Sequence, residues 1–290
     1  MSLISLKEML QDARQQGYAV PMFDVSNATM IRAAVETAEE ENSPVILAAI
    51  EPDLIGSMIH YWSEAARLAA FRAKVPVAIM LDHAASVELT ERCADAGFSG
   101  VMIDASNRSF EENAAITRTV SERMHRRGVS VEAELGHVGD ASAATGEGAL
   151  TGSRHAQSVY TDPDKVAEFI ERSGCDALAV SIGTAHGVYA KAPTLRIDLL
   201  KEINAVSAVP LVLHGGSGTP EEQLRAAIAA GIAKINICSE VMQAWHQTML
   251  EVLQAAPSLS FWDATACVAP ERAIRAVMCA KIRLFGSSRA

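Results

Sequence analysis

The stretch VPLVLHGGSGTPEE, residues 209–222, contains one complete structural unit. A run of apolar residues typical of a buried strand ends at His214, a glycine-rich turn follows, and Thr219-Pro220-Glu221-Glu222 has the form of a helix start. Strand, turn and helix in this order are the unit from which parallel sheets covered by helices are built. The same unit recurs along the rest of the chain.

Eight short runs rich in Val, Ile and Leu are predicted as strands. They cover residues 19–25, 44–50, 75–82, 100–104, 129–135, 177–183, 209–214 and 234–239. Helix boundaries lie between them, such as the capping box of Ser109 and Glu112 and the Asp162-Pro163 start of a helix that ends near Gly174. Eight such units in about 250 residues predict an α/β fold, a single-domain (β/α)8 TIM barrel over residues 1–290. An open doubly wound sheet is the alternative, but no Gly-x-Gly-x-x-Gly turn follows the first strand.

The composition fits a folded domain and excludes several classes of partner. Of the 290 residues, 49% are hydrophobic and 21% are charged, which is close to the average for globular proteins. The formal net charge of −10 disfavours general binding to nucleic acid or to an anionic membrane. Five scattered cysteines without a Cys-x-x-Cys pair argue against a disulfide scaffold and predict a reducing, cytoplasmic location. Neither a signal peptide nor a membrane-spanning run is predicted.

One connection between strands is longer than the others. The sixth predicted strand begins 48 residues after the fifth, whereas the other intervals are 25 to 32 residues. The excess lies in residues 136–158, which are rich in Gly, Ala, Ser and Thr and are predicted to form a mobile surface loop. We expect this loop to act as a substrate lid, with a surface insertion of no function as the alternative.

Polar residues collect at the predicted carboxyl ends of the strands, where barrels carry their active sites. Asp82 and His83 end the third strand, His186 follows the sixth, and His214 ends the seventh. Three imidazoles with an open fourth position are typical of catalytic zinc, so the three histidines are predicted to bind a metal ion. A single loop histidine would more often be only hydrogen-bonded. The remaining histidines are predicted as surface or packing residues: His60, His125, His137, His155 and His246.

A phosphate site is predicted beside the histidines. The turn Gly215-Gly216-Ser217-Gly218 opens onto a helix N-terminus, where backbone N–H groups can approach an anion closely. Barrels often hold phosphate in the loops after strands seven and eight, and Asn236-Ile237-Cys238-Ser239 adds donors from strand eight. These loops would bind an anionic ligand in a chain that is acidic overall.

Five motifs in this order resemble the class II, zinc-dependent ketose-bisphosphate aldolases, and within that family the tagatose-bisphosphate aldolase branch. They are Leu81-Asp82-His83, VEAELG at residues 131–136, GTAHGVY at 183–189, LHGGSG at 213–218 and Lys234-Ile235-Asn236. The likeness extends over nearly the whole chain, from YAVP at residues 18–21 to KIRLFGS at 281–287.

The resemblance implies zinc-dependent retro-aldol cleavage, or the reverse condensation, of a phosphorylated ketose similar to fructose or tagatose bisphosphate. The products would be dihydroxyacetone phosphate and an aldehyde. It implies Zn2+ held by His83, His186 and His214, and allows a monovalent cation near the phosphate site. Glu134 would reach the metal in some states, and Asp82 would exchange a proton with the C4 hydroxyl. Residues implied to bind the dihydroxyacetone phosphate half are Gly187, Gly215, Gly216, Ser217, Asn236, Ile237, Cys238 and Ser239.

Some of the positions depart from the family pattern. A second acid–base should lie in the loop after strand five, where Glu147 and Asp140 are the candidates. Asp24 stands where relatives commonly have Asn, and Ile50-Glu51 replaces a stretch that often offers a small hydroxyl residue. Cys238 differs from both branches of the family. The ketose is therefore left open, with another ketose phosphate or a sugar-acid derivative as alternatives.

The sequence also bears on the type of mechanism and on the assembly. A Schiff-base aldolase needs a lysine inside a strand, and only Lys234 is available, at the predicted start of strand eight. A non-catalytic metal-binding partner subunit is disfavoured because Asp82 lies beside a candidate ligand. Because relatives form dimers or tetramers, a homodimer or homotetramer is expected, with the apolar C-terminal helix, Ala269 to Phe285, as a candidate interface.

Overall fold

A computed structural model describes residues 2–140 and 158–288. Eight parallel strands form a closed barrel in which each strand pairs with the next and β8 pairs with β1. The strands are β1 Val20–Asp24, β2 Val45–Ala49, β3 Val77–Ala84, β4 Gly100–Ile103, β5 Ser130–Leu135, β6 Ala177–Val180, β7 Leu211–Leu213 and β8 Ile232–Ile237. The predicted (β/α)8 barrel is confirmed, and the open sheet is excluded.

Helices lie between the strands and at both ends of the chain. They are α1 Leu6–Gln16, α2 Ala28–Glu40, α3 Met58–Arg72, α4 Val87–Asp95, α5 Phe110–His125, α6 Pro163–Ser173, α7 Ile197–Val206, α8 Glu221–Ala229, α9 Ser239–Ala255, α10 Asp263–Ala266 and α11 Val268–Leu284, with a short 3-10 helix at Glu51–Leu54. The Ser109 hydroxyl accepts from Glu112 N at 3.3 Å and the Glu112 carboxylate accepts from Ser109 N at 3.1 Å, as the capping box predicts. None of the described helices is both long and apolar enough to span a bilayer.

Two strand boundaries differ from the prediction in ways that affect the site. β3 does not stop at Asp82 but continues through His83, whose φ of +48° is uncommon for a residue other than glycine. Its register with β4 shifts between Leu81 and Ala84. This irregularity places the consecutive side chains of Asp82 and His83 at one end of the barrel. β8 begins at Ile232, which moves Lys234 from the predicted start of the strand into its interior.

The interior of the barrel is apolar at its amino-terminal end. Alternate residues of a strand point inward, so that each strand contributes to successive layers. The buried interior residues of the strands in this part are Val20, Met22, Ile46, Ala48, Ala78, Met80, Met102, Ala177, Ala179, Val212 and Ala233. α1 covers this end of the barrel with Leu6, Met9 and Leu10, and each such buried side chain contributes roughly 1.5–3 kcal/mol of stability. Apolar packing therefore closes this end of the barrel, and the predicted site residues lie toward the carboxyl end.

The C-terminal helix packs against its own chain. Ile274, Met278 and Ile282 of α11 are fully buried in the core between strands and helices. Salt bridges join the flank of the helix to α2, with Arg275 at 2.5 Å from Glu36. The apolar periodicity that suggested a subunit interface at this helix is thus satisfied within the chain.

Candidate active site

The carboxyl ends of the strands bring the predicted histidines together. His83 lies on β3, His214 directly follows β7, and His186 lies in the loop after β6. The His214 Nδ1 atom is 2.8 Å from His83 Nε2, and the His186 ring centroid is 4.8 Å from that of His83. One ring nitrogen from each of the three lies within 4.8 Å of the others. All three side chains are buried, and their donor set is one that zinc prefers.

Opposite electrostatic effects act on two of these imidazoles. Burial, together with the nearby charges of His83 and Lys234, holds the pKa of His214 well below its usual range. Burial opposes protonation of His83 as well, but the carboxylates of Asp82 and Asp104 outweigh it and hold the pKa of His83 well above its usual range. His214 is therefore neutral, as a metal ligand must be, whereas a metal ion would displace a proton from His83.

A chain of hydrogen bonds orients His83. Its Nδ1 atom lies 3.0 Å from Asp104 Oδ2, so that Nδ1–H donates to the carboxylate and Nε2 faces the other histidines. Asp104 Oδ1 accepts from the Ser106 backbone N at 3.0 Å and from its hydroxyl at 2.7 Å. Burial would raise the pKa of Asp104, but its bonds to His83 and Ser106 hold it well below its usual range. His137 Nδ1 is 2.8 Å from the Ser106 hydroxyl, so His137 lies nearer the site than predicted.

A buried ion pair orients His214 in the same way. Its Nε2 atom lies 3.0 Å from Glu132 Oε1, which leaves Nδ1 directed at the other histidines. Lys234 Nζ donates to both oxygens of Glu132, at 2.9 and 2.8 Å. All three side chains have no solvent exposure. The ammonium of Lys234 is therefore separated from the histidine cluster by a single carboxylate.

Glu134 lies at the edge of the histidine cluster. Its Oε1 atom accepts from Val138 N at 2.9 Å, and Oε2 is buried with no hydrogen-bond partner among the described residues. Burial and the charge of Asp104 raise the pKa of Glu134 to about 8. One ligand atom each from His83, Asp104 and Glu134 lies within 4.8 Å of the others. A buried carboxyl oxygen that lacks a partner is suited to coordinate a cation.

Asp82 lies between the histidines and β8. Asn236 Nδ2 is 3.4 and 3.3 Å from the two Asp82 carboxyl oxygens, and 3.4 Å from His214 Nε2. His83 Nε2 is 3.9 Å from Asp82 Oδ2. Asp82 is thus held beside the candidate metal ligands by a neutral amide, in a position where a carboxylate can exchange a proton with a bound molecule.

The predicted phosphate loops are adjacent to this cluster. Gly215 has a φ of +67°, and a Cβ atom on Gly216 would lie 2.5 Å from Ile235 Cγ2 and 2.8 Å from the Asn236 carbonyl oxygen. A cavity of about 160 Å³ is lined in part by Gly187, Ser217, Gly218, Ser239 and Glu240. Gly216 lies so close to β8 that only glycine fits there, which is typical of a cradle for an anion.

The remaining predicted phosphate residues differ in how they face the cavity. Ile237 is fully buried in the core, so only its backbone is available to a ligand, whereas Cys238 is buried at the N-cap of α9. Glu240 accepts from Gly218 N at 2.6 Å and is paired with Lys281 Nζ at 2.8 Å. Lys281 offsets the negative charge that Glu240 brings to the cavity.

The long connection after β5 is attached to the metal-ligand loop at its base. His137 and Val159 exchange two backbone hydrogen bonds of 2.8 Å. The His186 backbone N donates to the Gly139 carbonyl at 2.8 Å, and Asp140 and His186 form an isolated parallel β-bridge through their backbones. Asp140 is therefore adjacent to a candidate ligand. Glu147 and His155, and most of the predicted lid, lie outside the described residues.

Comparison with known proteins agrees with this architecture. The family model described as "Fructose-bisphosphate aldolase class-II" matches residues 4–290. The fructose-bisphosphate aldolase of Geobacillus stearothermophilus is 41% identical over 298 aligned positions, covering 99% of this chain and 98% of that protein. That of Staphylococcus epidermidis is 40% identical over 296 positions, covering 99% of each. The crystal structure of the YdjI aldolase from Escherichia coli K12 has a TM-score of 0.85 at 35% identity, covering 99% of this chain and 98% of that one. The chain therefore belongs to the class II fructose-bisphosphate aldolase family, whose members are metal-dependent carbon–carbon lyases.

Proposed function

We propose that the chain catalyses retro-aldol cleavage of a ketose phosphate to dihydroxyacetone phosphate and an aldehyde, and the reverse condensation, with Zn2+ held by His83, His186 and His214. The observation that carries the proposal is the convergence of these imidazoles beside Asp82 at the carboxyl end of the barrel. The hydrogen bonds that Asp104 and Glu132 make to His83 and His214 support it, because they direct one nitrogen of each ring at the others. When bound, the zinc ion acts as a Lewis acid that polarises the ketose carbonyl.

Asp82 acts as the acid–base for the C4 hydroxyl. In cleavage it takes the hydroxyl proton, the C4–O bond becomes a carbonyl, and the C3–C4 bond breaks with its electron pair left on the C3 side. In condensation Asp82 returns the proton to the aldehyde oxygen. Asn236 holds the carboxylate in place through its amide, 3.3 Å away. Glu134 is a fourth candidate ligand, and its pKa of about 8 means that coordination would require it to lose a proton.

A second acid delivers the proton that C3 gains after cleavage. We assign this role to the connection after β5, with Asp140 and Glu147 as the two candidates. The bridge between Asp140 and His186 supports Asp140, because it brings that residue beside the metal ligands. The dihydroxyacetone phosphate half would bind through Gly187, the Gly215-Gly216-Ser217 turn and the residues from Asn236 to Ser239. The close packing around Gly216 supports that assignment.

The Schiff-base mechanism is disfavoured by the pairing of Lys234. A lysine nucleophile must lose its proton, and the ion pair with both oxygens of Glu132 stabilises the charged ammonium instead. We further propose that the enzyme is a cytoplasmic homo-oligomer. Exposed apolar side chains on α3 support the assembly: Tyr61, Leu68 and Phe71 are 72%, 58% and 74% exposed.

The proposed function is tested by cleavage assays with zinc-loaded protein. The substrates are fructose 1,6-bisphosphate, tagatose 1,6-bisphosphate and the corresponding 1-phosphates, with dihydroxyacetone phosphate detected by coupled reduction. We expect cleavage that is lost with a chelator, returns with zinc and is absent from His83→Ala. His246→Ala is the matched control, because His246 is exposed on α9. Activity that survives complete removal of metal would contradict the proposal.

A further inference from the structure

The two sides of the site differ in charge and in hydrogen-bonding character. On the phosphate side, the loops after β7 and β8 present glycines and hydroxyl groups around the cavity, and the one carboxylate among its described lining residues, Glu240, is paired with Lys281 at 2.8 Å. On the opposite side, the last residues of β1 and β3 and the loops after β1, β2 and β3 are fully described, at residues 24–27, 50–57 and 82–86. They contain four carboxyl groups and no lysine or arginine: Asp24, Glu51, Asp53 and Asp82. This side would receive the half of the substrate that becomes the aldehyde.

Of these four residues, Asp24 lies on β1, the strand that pairs with β8 and is therefore adjacent to the phosphate loops. It ends β1, is 3% exposed, and follows Val20 and Met22, whose side chains lie in the barrel interior. By the alternation of a strand, Asp24 faces the same interior. Its neighbour Phe23 is paired with Ile237, so Asp24 stands beside the end of β8. A carboxyl group therefore lies along the path from the phosphate loop toward β2 and β3.

An independent feature is a neutral acceptor on β8, between the two sides of the site. The side chain of Asn236 is buried, its Nδ2 lies 3.3 Å from Asp82, and its Oδ1 has no hydrogen-bond partner in the part of the chain that the structure describes. An amide oxygen held in this way accepts from a hydroxyl group but cannot bind a phosphate oxygen, which is itself an acceptor. Asn236 Oδ1 is therefore suited to accept a hydrogen bond from a hydroxyl group of the substrate rather than to hold a phosphate.

In the part of the chain that the structure describes, several cations around these loops are paired or exposed. Arg32 of α2, five residues after the first of them, is paired with Glu36 at 3.3 Å and with Glu271 at 2.6 Å. Lys234 is paired with Glu132 below the site, and Arg92 of α4 donates to the Gly56 carbonyl at 3.4 Å. Arg108 is exposed in the loop after β4. A second phosphate on the aldehyde half would thus meet like charges, which are costly when brought together in a partly buried site.

Resting on the proposed function, we propose that the substrate is a ketose 1-phosphate whose aldehyde half is an uncharged polyhydroxyl chain, and that Asp24 selects against a second phosphate. Asp24 accepts a hydrogen bond from a hydroxyl of that chain. The discrimination is electrostatic, so it weakens as salt rises.

The test compares kcat/KM for fructose 1-phosphate and tagatose 1-phosphate with that for their 1,6-bisphosphates, on the zinc-loaded full chain. We expect the 1-phosphates to be favoured by about tenfold or more. Asp24→Asn keeps the shape and removes the charge, and is expected to raise the bisphosphate to monophosphate ratio by about fivefold or more. Glu64→Gln, which removes a carboxylate from the outer surface of α3, is the matched control and should leave the ratio unchanged.

Two outcomes would overturn the inference. One is a bisphosphate cleaved as well as, or better than, its 1-phosphate; the other is an Asp24→Asn protein with the wild-type ratio. Failure to release dihydroxyacetone phosphate from any of these sugars would instead refute the proposed function. In that case the inference is tested by calorimetry, which compares the affinity for each bisphosphate with that for its 1-phosphate in the wild-type and Asp24→Asn proteins.

Discussion

The Lys234→Met substitution tests whether the buried ion pair supports the metal site. The change removes the ammonium that donates to both oxygens of Glu132, at 2.9 and 2.8 Å, and leaves that carboxylate with His214 as its remaining partner. Both members of the pair have no solvent exposure, so water cannot replace the lost donor. Removing one partner from such a pair costs about 3–5 kcal/mol. We expect the free energy of unfolding of the metal-free protein to fall by that amount.

The same substitution should weaken metal binding. Glu132 directs His214 through Nε2, and loss of an outer partner of this kind typically reduces metal affinity by about 10–100-fold. Glu132→Gln combined with Lys234→Met removes both charges and keeps an amide oxygen that can accept from His214. The double variant should recover most of the stability, because no isolated charge remains buried.

Urea unfolding followed by circular dichroism, in chelator at pH 7, measures the stability, and competition with a chromophoric chelator measures the zinc affinity. Lys165→Met is the matched control, since its 3.7 Å pair with Asp162 is exposed and should contribute less than about 1 kcal/mol. A Lys234→Met protein within about 1 kcal/mol of wild type would refute the reasoning. So would a double variant no more stable than the single one.

Three further predictions concern the site and its titration. Asp82→Asn should retain zinc but lose about 10²–10⁴-fold in kcat, measured by cleavage assay and metal analysis, and equal loss of zinc would contradict its assignment as the acid–base. Gly216→Ala should cost about 1–3 kcal/mol by urea unfolding, because its Cβ would lie 2.5 Å from Ile235 Cγ2; an unchanged stability would show that the turn relaxes freely. The metal-free protein should lose stability from about pH 5 to pH 8, because the pKa of Glu134 is about 8 when folded against 4.5 when unfolded, so that the folded state holds more protons. The pKa of His83 is also raised, so His83 adds to this dependence of stability on pH. Glu134→Gln should make the stability depend less on pH, as measured by urea unfolding at several pH values. A Glu134→Gln protein with the wild-type pH dependence would contradict the role of Glu134.

The fold could be predicted because its signals are local. Short apolar runs between helix starts such as Ser109 and Asp162-Pro163 set strand and helix boundaries within a few residues. His83 and His214 could also be placed, because a polar residue at the end of an apolar strand must lie at the carboxyl end of a barrel. The C-terminal helix shows the limit of the same reasoning, since periodicity reveals an apolar face but not what covers it.

The partners of the ligands could not be predicted in this way. Lys234 and Glu132 are 102 residues apart, and only barrel closure brings them together. The predicted start of β8 is two residues late, which places Lys234 at the start of the strand instead of in its interior. Asp104 follows the short strand β4, where an aspartate is a common turn residue, and its bond to His83 depends on the irregular backbone of β3. These contacts are set by tertiary geometry that local sequence does not encode.

The packing of α1 over the amino-terminal end of the barrel has a consequence for the order of folding. α1 precedes all eight strands in the chain, so its partners are synthesised much later than the helix itself. Lys7 N donates to Ser130, 123 residues on, and Arg14 donates to the Ser207 carbonyl, 193 residues on. The surface that it covers exists only when strands from both halves of the chain have closed the barrel. We therefore expect α1 to dock at the end of folding, and slow hydrogen exchange of its amides to report that the barrel is complete.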